Sequence, residues 1–351
     1  MTTAATEQRT QNSHITDTAL GSAYESVSLF SGATEAQRVI MTVWAAHTYV
    51  YRRFPATPRL SFCADEPGTG KTVNMDVTVA LSHNPLVVGY ASQSSVYGWL
   101  DEHPTTTFGL DEIDKAFGSN GRKTSRAILA SVVNDGYTAT GKVMVTRGGH
   151  AVLMPVFCPI ATAGLGRLPA DTLTRAITIH LHKNMPESVY VPELHNDDLA
   201  FIGGEVKDWI TTEDNVSYLM GQPHMAEGVD GDPRFKLITA PLAAIASLAG
   251  CHDAFLAAVR EVQSGISENP PQALHDLLRA DLREVWPGDE RIVTGATLIS
   301  LLRDHVGGRW AKLEDGRLGE IALAGIMRQA DIPSRTSNGT RGYRREDVFT
   351  S

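Results

Sequence analysis

Apolar positions recur every three to four residues over 35–52, where Val39, Ile40, Val43, Trp44, His47, Val50 and Tyr51 line one side of a helix and Pro55 and Pro58 end the run. The period then changes. Residues 59–64 (RLSFCA) are a short apolar run of strand length, 71–81 returns to helical spacing, and 85–91 (PLVVGYA) reads as a second strand. A helix over 92–103 and a strand over 105–110 (TTTFGL) follow. Strands alternating with helices predict an α/β unit with a parallel sheet and right-handed crossovers.

After a helix predicted over 123–134, two apolar runs in VMVTRGGHAVLMPV flank Arg147, Gly148 and Gly149, the pattern of a β-hairpin. Residues 156–162 and 176–181 (AITIHL) read as two further strands. Beyond 185 the periodicity is helical, at 198–211, 234–249 and 254–264, and predicts a helical lid. SENPP (267–271) is the clearest linker, because consecutive prolines continue neither a helix nor a central strand. Helical patterns at 273–285, 295–305 and 319–330, then a GTRGY turn within 332–348, outline a winged helix-turn-helix. The expected organisation is a flexible leader (1–33), an α/β core (34–184), a helical lid (185–266) and a winged-helix module (272–351).

Composition fits such a chain. Its 351 residues suit about two domains at roughly 150 each, with room for a small module. With 42% hydrophobic and 20% charged residues it is neither disordered nor fibrous. The net charge of −9 argues against a protein that coats nucleic acid with its whole surface and leaves room for a local basic face. Cys63, Cys158 and Cys251 form no CxxC pair, which speaks against a disulfide framework or a thiolate zinc site and fits a reducing cytoplasm. The longest nearly apolar run, 240–251, is too short to cross a bilayer, and the polar first residues do not read as a secretory signal.

The strongest chemical signal is Pro67-Gly68-Thr69-Gly70-Lys71-Thr72 between a predicted strand and a predicted helix. Consecutive backbone N–H groups at a helix N-terminus can replace the water around a triphosphate, and glycines let the backbone wrap closely enough. Lys71 is then placed for the β and γ phosphates and Thr72 for Mg²⁺. Asp65 occupies the position where GxxxxGK[ST] has its first glycine, and the Asp65-Glu66 carboxylates must turn outward if a polyphosphate is to bind.

Forty residues beyond Lys71, a strand runs into Asp111-Glu112 at the edge of the sheet where ligands bind. Asp111 suits Mg²⁺, held through water, and Glu112 suits the general base that activates the attacking water. Thr162, expected at the end of its strand, can orient that water. Within GLGRLPADTLTRAI, Arg175 can reach the nucleotide of a neighbouring subunit, with Arg167 as its competitor. Arg234, at the start of a lid helix, can clamp the γ-phosphate. For each arginine a surface ion pair is the competing reading.

Together PGTGKT, FGLDEID, NDGY (134–137), LPADTLTRAI, DPRF…PLAAIASLAG and RGYRREDV resemble a phage and actinobacterial family of P-loop ATPases, catalogued as a domain of unknown function and often found beside primase-like domains. The resemblance covers roughly 35–349. It implies the AAA+ class and similarity to self-loading, MCM-like helicases of mobile elements. It further implies sensor-1, arginine-finger and sensor-2 roles for Thr162, Arg175 and Arg234, where asparagine is commoner at the first.

Residues 328–345 hold Arg328, Arg335, Arg341, Arg344 and Arg345 against one acid, Asp331. With Tyr343 in the expected wing, the stripe suits nucleic-acid phosphates, and ion pairs to Glu346 and Asp347 are the alternative. Lys142 and Arg147 of the hairpin are a second basic candidate, since an insertion at this place projects into the pore of ring-forming AAA+ motors; an ordinary edge hairpin is the alternative. His180-x-His182 reads as one buried and one exposed side chain rather than a metal site, Asn338-Gly339-Thr340 as a turn, and the five tryptophans mostly as core.

The functional expectation is an oligomeric, DNA-dependent, Mg²⁺- and ATP-using AAA+ motor, a hexameric ring being one form, that acts as a helicase in phage or mobile-element replication beside other replication proteins. Two alternatives stay open: a helicase loader or initiator that does not unwind DNA, and a nucleotide-gated winged-helix regulator.

Overall fold

The computed structural model describes residues 14–89, 91, 93–113, 132–166, 168–182, 196–223, 226–268, 274–305, 310, 320–337 and 340–349. Two helices open it, α1 (Gly21–Phe30) and α2 (Glu35–His47). Thr34 and Gln37 start α2 as a reciprocal capping box, each side chain bonding the other's backbone N–H. From Val39 to His47 every residue of α2 is buried, so it runs through the core rather than over it. Residues 15–33 are not a loose leader: Leu20, just before α1, and Val27 within it are fully buried, and α1 packs against α2.

The glycine loop and the Asp111-Glu112 pair sit on an α/β unit. Its elements are β1 (Arg59–Ala64), α3 (Lys71–Ala80), β2 (Pro85–Val88), α4 (Gln93–Glu102), β3 (Thr107–Leu110), the hairpin strands β4 (Lys142–Arg147) and β5 (His150–Pro155), β6 (Ile160–Leu165), the single turn α5 (Ala170–Leu173) and β7 (Ala176–His180). Five strands form one parallel sheet in the order β2-β3-β6-β1-β7. Sequence neighbours β1 and β2 are therefore far apart in it, and β6 stands between β1 and β3. The helix expected over 123–134 falls outside the described residues up to 131.

β6 begins four residues later than the sequence pattern suggests. Backbone N–H groups of Val156 and Cys158 are already engaged by Gly141 O and Gly136 O, so the strand forms only after Pro159. Thr162 consequently lies in mid-strand, opposite Ser61 and Leu110, and not at its end.

Helices α6 (Asn196–Ile210), α7 (Glu213–Met220), α8 (Pro233–Ala249) and α9 (His252–Glu268) follow. The boundary expected at 184 runs through a single hydrophobic core. Leu60, Phe62 and Ala64 of β1, Ile177 and Ile179 of β7, and most of α2 share it with Leu242, Ile245 and Phe255 of α8 and α9. A second cluster, with Tyr97, Phe108, Leu110 and Ile160, lies around α4, β3 and the start of β6.

The remaining elements are α10 (Leu274–Val285), β8 (Ile292–Val293), α11 (Gly295–His305), α12 (Glu320–Gln329), β9 (Arg335–Ser337), β10 (Thr340–Arg344) and α13 (Arg345–Phe349). They have their own core around Leu278, Leu298, Leu302, Trp310 and Ile332, with a three-stranded sheet ordered β8-β10-β9. Trp44, Trp286 and Trp310 are buried, while Trp99 lies open on α4. No described helix is long and apolar enough to cross a membrane.

Candidate nucleotide site

The loop between β1 and α3 is shaped by two glycines in the left-handed region, Gly68 at φ +78° and Gly70 at φ +80°. Left-handed residues alternating with ordinary ones turn successive N–H groups to one side, which makes an anion-binding concavity. Gly70 is also the N-cap of α3, so the helix adds its own free N–H groups there. Lys71 folds back over the loop, its Nζ donating to Glu66 O at 3.1 Å and lying 3.5 Å from Thr69 Oγ1.

A polar support that the sequence motif does not announce lies under this loop. Asn74, one helical turn beyond Gly70, donates from Nδ2 to Gly70 O at 2.8 Å and accepts from the Ser31 hydroxyl through Oδ1. A buried polar residue at one-turn spacing from the loop is the signal that would have found it. From the other side Gln37 of the capping box donates to His180 O at 2.8 Å. The two opening helices thus hold both the loop and the end of β7.

The departure at Asp65 has a structural counterpart. Its Oδ2 lies 3.6 Å from Nε2 of His180, which is buried at the end of β7. Asp65 therefore turns toward the neighbouring strand. His182 is exposed, and its ring stands 4.6 Å from that of His180. Among the described residues no group of three metal-ligating side chains assembles. Cys63 beneath the loop, like Cys158 and Cys251, is a free buried thiol, and burial pushes all three up from the ordinary thiol range.

Asp111 and Glu112 follow β3 at the carboxyl edge of the sheet. Thr72 Oγ1 donates to the Asp111 carboxylate at 3.1 Å from Oδ2 and 3.3 Å from Oδ1. Asp111 Oδ1 also accepts from Glu112 N at 2.7 Å. Glu112 is exposed and has φ +53°, a conformation that costs a non-glycine residue on the order of 1 kcal/mol. A hydroxyl and a carboxylate already in contact beside the loop are the donor set a hard divalent cation takes, so these residues fit Mg²⁺.

Thr162 is fully buried, and its Oγ1 has no hydrogen-bond partner among the described residues. Its register opposite Leu110 sets it one residue below Asp111. The hydroxyl is therefore under the acidic pair rather than at the open rim.

Arg175 and Arg234 meet at one turn. Arg175 Nη1 donates to Asp171 O, and its guanidinium carbon lies 5.2 Å from the Tyr137 ring centroid. Arg234, exposed at the first turn of α8, donates to Thr174 Oγ1 at 2.8 Å. This bond is to the turn carrying Arg175, and not to the glycine loop. Arg167 lies outside the described residues.

The basic candidates divide. Lys142 is exposed at the root of the hairpin, while Arg147 closes β4 beside the Gly148-Gly149 turn and its side chain is outside the described set. Beside Lys142 the hairpin exposes Met144 and its cross-strand partner Leu153. In the C-terminal module Arg335 pairs with Asp347 at 3.3 Å and Arg344 with Glu346 at 3.0 Å. Arg345 lies 3.9 Å from Asp289 and stacks on Phe349 at 4.3 Å. Arg328 and Arg341 are exposed, with no carboxylate partner among the described residues, Arg341 donating to Ser334 Oγ at 3.0 Å. Tyr343 is not a wing-tip contact. It is buried in the module's core, and burial raises its phenol above the ordinary range. The Asn338-Gly339-Thr340 turn falls largely outside the described residues.

Compared with known proteins, the chain matches no family model and no curated sequence.

Proposed function

We propose that the protein is an ATP-hydrolysing, DNA-dependent motor of the AAA+ class, an α/β P-loop ATPase with a C-terminal winged helix. The observation that carries this reading is the Thr72–Asp111 hydrogen bond, which joins the end of the phosphate loop to the acidic end of β3 beside two left-handed glycines. Gly68, Thr69, Gly70 and Lys71 would take the phosphates, with Pro67 setting the entry to the loop. Thr72 and Asp111 would hold Mg²⁺, which when bound neutralises phosphate charge and orients the triphosphate.

Glu112, exposed at the rim, would accept the proton of the attacking water, and its strained backbone is the kind of outlier that clusters at active sites. Thr162 Oγ1, beneath the acids and without a hydrogen-bond partner among the described residues, supports a water-orienting role through an intervening water. Arg175 would act on the nucleotide of the next subunit, which makes a homo-oligomer, a hexameric ring among its forms, part of the proposal. Arg234 would steady the Arg175 turn. DNA phosphates would meet Lys142 and Arg147 on the hairpin and Arg328 and Arg341 on the module, with the paired Arg335, Arg344 and Arg345 secondary. Helicase work in phage or mobile-element replication, beside other replication proteins, is the biological setting proposed.

A second reading, a nucleotide-gated DNA-binding regulator, is favoured by one observation: the module from Leu274 onward has a core of its own. Steady-state ATPase of wild type and Lys71→Ala, without DNA, with single-stranded DNA and with duplex, separates the two. Strong stimulation by DNA that vanishes in the variant is expected of the motor. No turnover, with ATP-independent duplex binding, would replace it by the regulator. Intact turnover without separation of a forked duplex would identify a loader.

A further inference from the structure

Arg175 is anchored from several directions by residues that the nucleotide reading leaves unused. Its Nη1 bonds Asp171 O, its guanidinium faces the Tyr137 ring, and its backbone carbonyl accepts from Arg59 N at 2.9 Å. Its Nε is buried with no hydrogen-bond partner among the described residues. The Asp171 carboxylate in turn accepts from Asn134 Nδ2 at 3.0 Å. Asn134 and Tyr137 belong to one four-residue segment, NDGY.

That segment has little freedom. A Cβ on Gly136 would come within 2.2 Å of Val156 O and 2.6 Å of Val132 O, so the backbone there is packed to the limit. Tyr137 O accepts from Thr57 N at 2.8 Å, just before β1. Below, Arg59 is wholly buried and donates to Val132 O, Val133 O and Cys158 O, which pins the residues on both sides of the hairpin. The hairpin is rooted here as well. Cys158 N donates to Gly136 O, Val156 N to Gly141 O, and Gly141 N to Thr138 O. One tight block therefore carries the hairpin on one side and Arg175 on the other.

We infer that Asn134 and Tyr137 are positioning residues for Arg175 and tie it to the root of the β4–β5 hairpin, so that a nucleic acid strand held by the hairpin sets the rate of turnover. The inference rests on the proposed roles of Arg175 at a nucleotide and of the hairpin at DNA. A block too densely packed to deform transmits displacement between the groups attached to it.

The test uses the full chain with Tyr137→Leu, Tyr137→Phe, Asn134→Asp and Arg175→Ala. Affinity is read with a fluorescent ATP analogue, and kcat is measured with and without an oligo-dT strand. Tyr137→Leu removes the ring face and is expected to lower the stimulated kcat about tenfold, the scale of a partly desolvated cation–π contact, with nucleotide affinity unchanged. Tyr137→Phe keeps the ring and should restore it. Asn134→Asp, nearly the same size, sets two carboxylates together and should lose stimulation while basal turnover persists. Wild-type stimulation in both Tyr137→Leu and Asn134→Asp, beside a dead Arg175→Ala, would overturn the inference alone. Equal loss of affinity and of both rates would also overturn it, as the mark of a merely structural role. Full turnover in Arg175→Ala would overturn the nucleotide role of the arginine and the inference with it.

Discussion

Thr72 at the start of α3 and Asp111 just after β3, 39 residues apart in the chain, share a hydrogen bond of 3.1 Å although β1, which leads into the loop before α3, and β3 are not neighbours in the sheet. β6 lies between those strands, so the two side chains meet above it at the sheet's carboxyl edge. Removing either partner should weaken the hold on a divalent cation more than on the nucleotide itself. Thr72→Ala and Asp111→Asn are each expected to raise the Mg²⁺ concentration for half-maximal ATPase about tenfold or more, the cost typical of losing a metal-supporting group. A magnesium titration at saturating ATP checks this, and an unchanged midpoint would remove the pair from the cation site.

Glu112 combines an exposed carboxylate with a left-handed backbone. Glu112→Gln should bind ATP normally and lose roughly 10²-fold or more in kcat, as expected on removing a general base. Glu112→Gly should be equally inactive yet melt no lower than wild type, because relief of about 1 kcal/mol of strain offsets the entropy glycine adds to the unfolded chain. Single-turnover hydrolysis and a thermal melt read the two effects separately.

His47 makes stability depend on pH. It is wholly buried in α2, with Nδ1 donating to Trp44 O and Nε2 accepting from Thr57 Oγ1, and burial lowers its pKa to about 4 against 6.5 for a free histidine. Its folded pKa lies below the unfolded one, so between these values the unfolded chain binds the extra proton. Stability from the neutral ring is complete above about pH 6.5 and is lost as pH falls toward 4, by about 3 kcal/mol in total. Urea unfolding across that window should show the loss, and His47→Gln should flatten it.

The arginine stripe divides by its partners. Arg328→Ala and Arg341→Ala should each reduce the salt dependence of DNA binding by about one unit of slope and weaken binding to all sequences alike. Arg335→Ala and Arg344→Ala remove charges already facing Asp347 and Glu346, and should change it less. Fluorescence anisotropy with a labelled oligonucleotide over a salt series makes the comparison, and equal effects at all four would erase the distinction.

The phosphate loop, the strand before it and the acidic pair were legible because each is written in consecutive residues whose backbone needs are local. Tyr343 was not, since it stands between Gly342 and Arg344 in an arginine-rich run, and only the pairing of β10 with β8 turns it into the module's core. The bond of Arg234 to Thr174 is not written in the sequence, because which turn α8 approaches is a tertiary fact. Arg59 reads as an ordinary strand-start residue, and only the fold turns three carbonyls toward it. Leu20 and Val27 sit among Ser, Ala and Gly, too sparse a pattern to announce a buried helix until α2 is there to receive it.

The shared core of the sheet with α2, α8 and α9 bears on how such a molecule can do work. Swinging those helices away would expose Phe62, Ile179, Leu242, Ile245, Phe255 and their neighbours, at about 1.5–3 kcal/mol for each large side chain. The sum far exceeds the roughly 1–3 kcal/mol by which a bound ligand ordinarily biases a conformational equilibrium. The helical layer and the sheet therefore behave as a stiff chassis. On the proposed ATPase reading, a change of bound nucleotide would be expressed as short strokes at the rim, in the glycine loop, at Glu112 and at the Arg175 turn, and read by whatever leans on those three points.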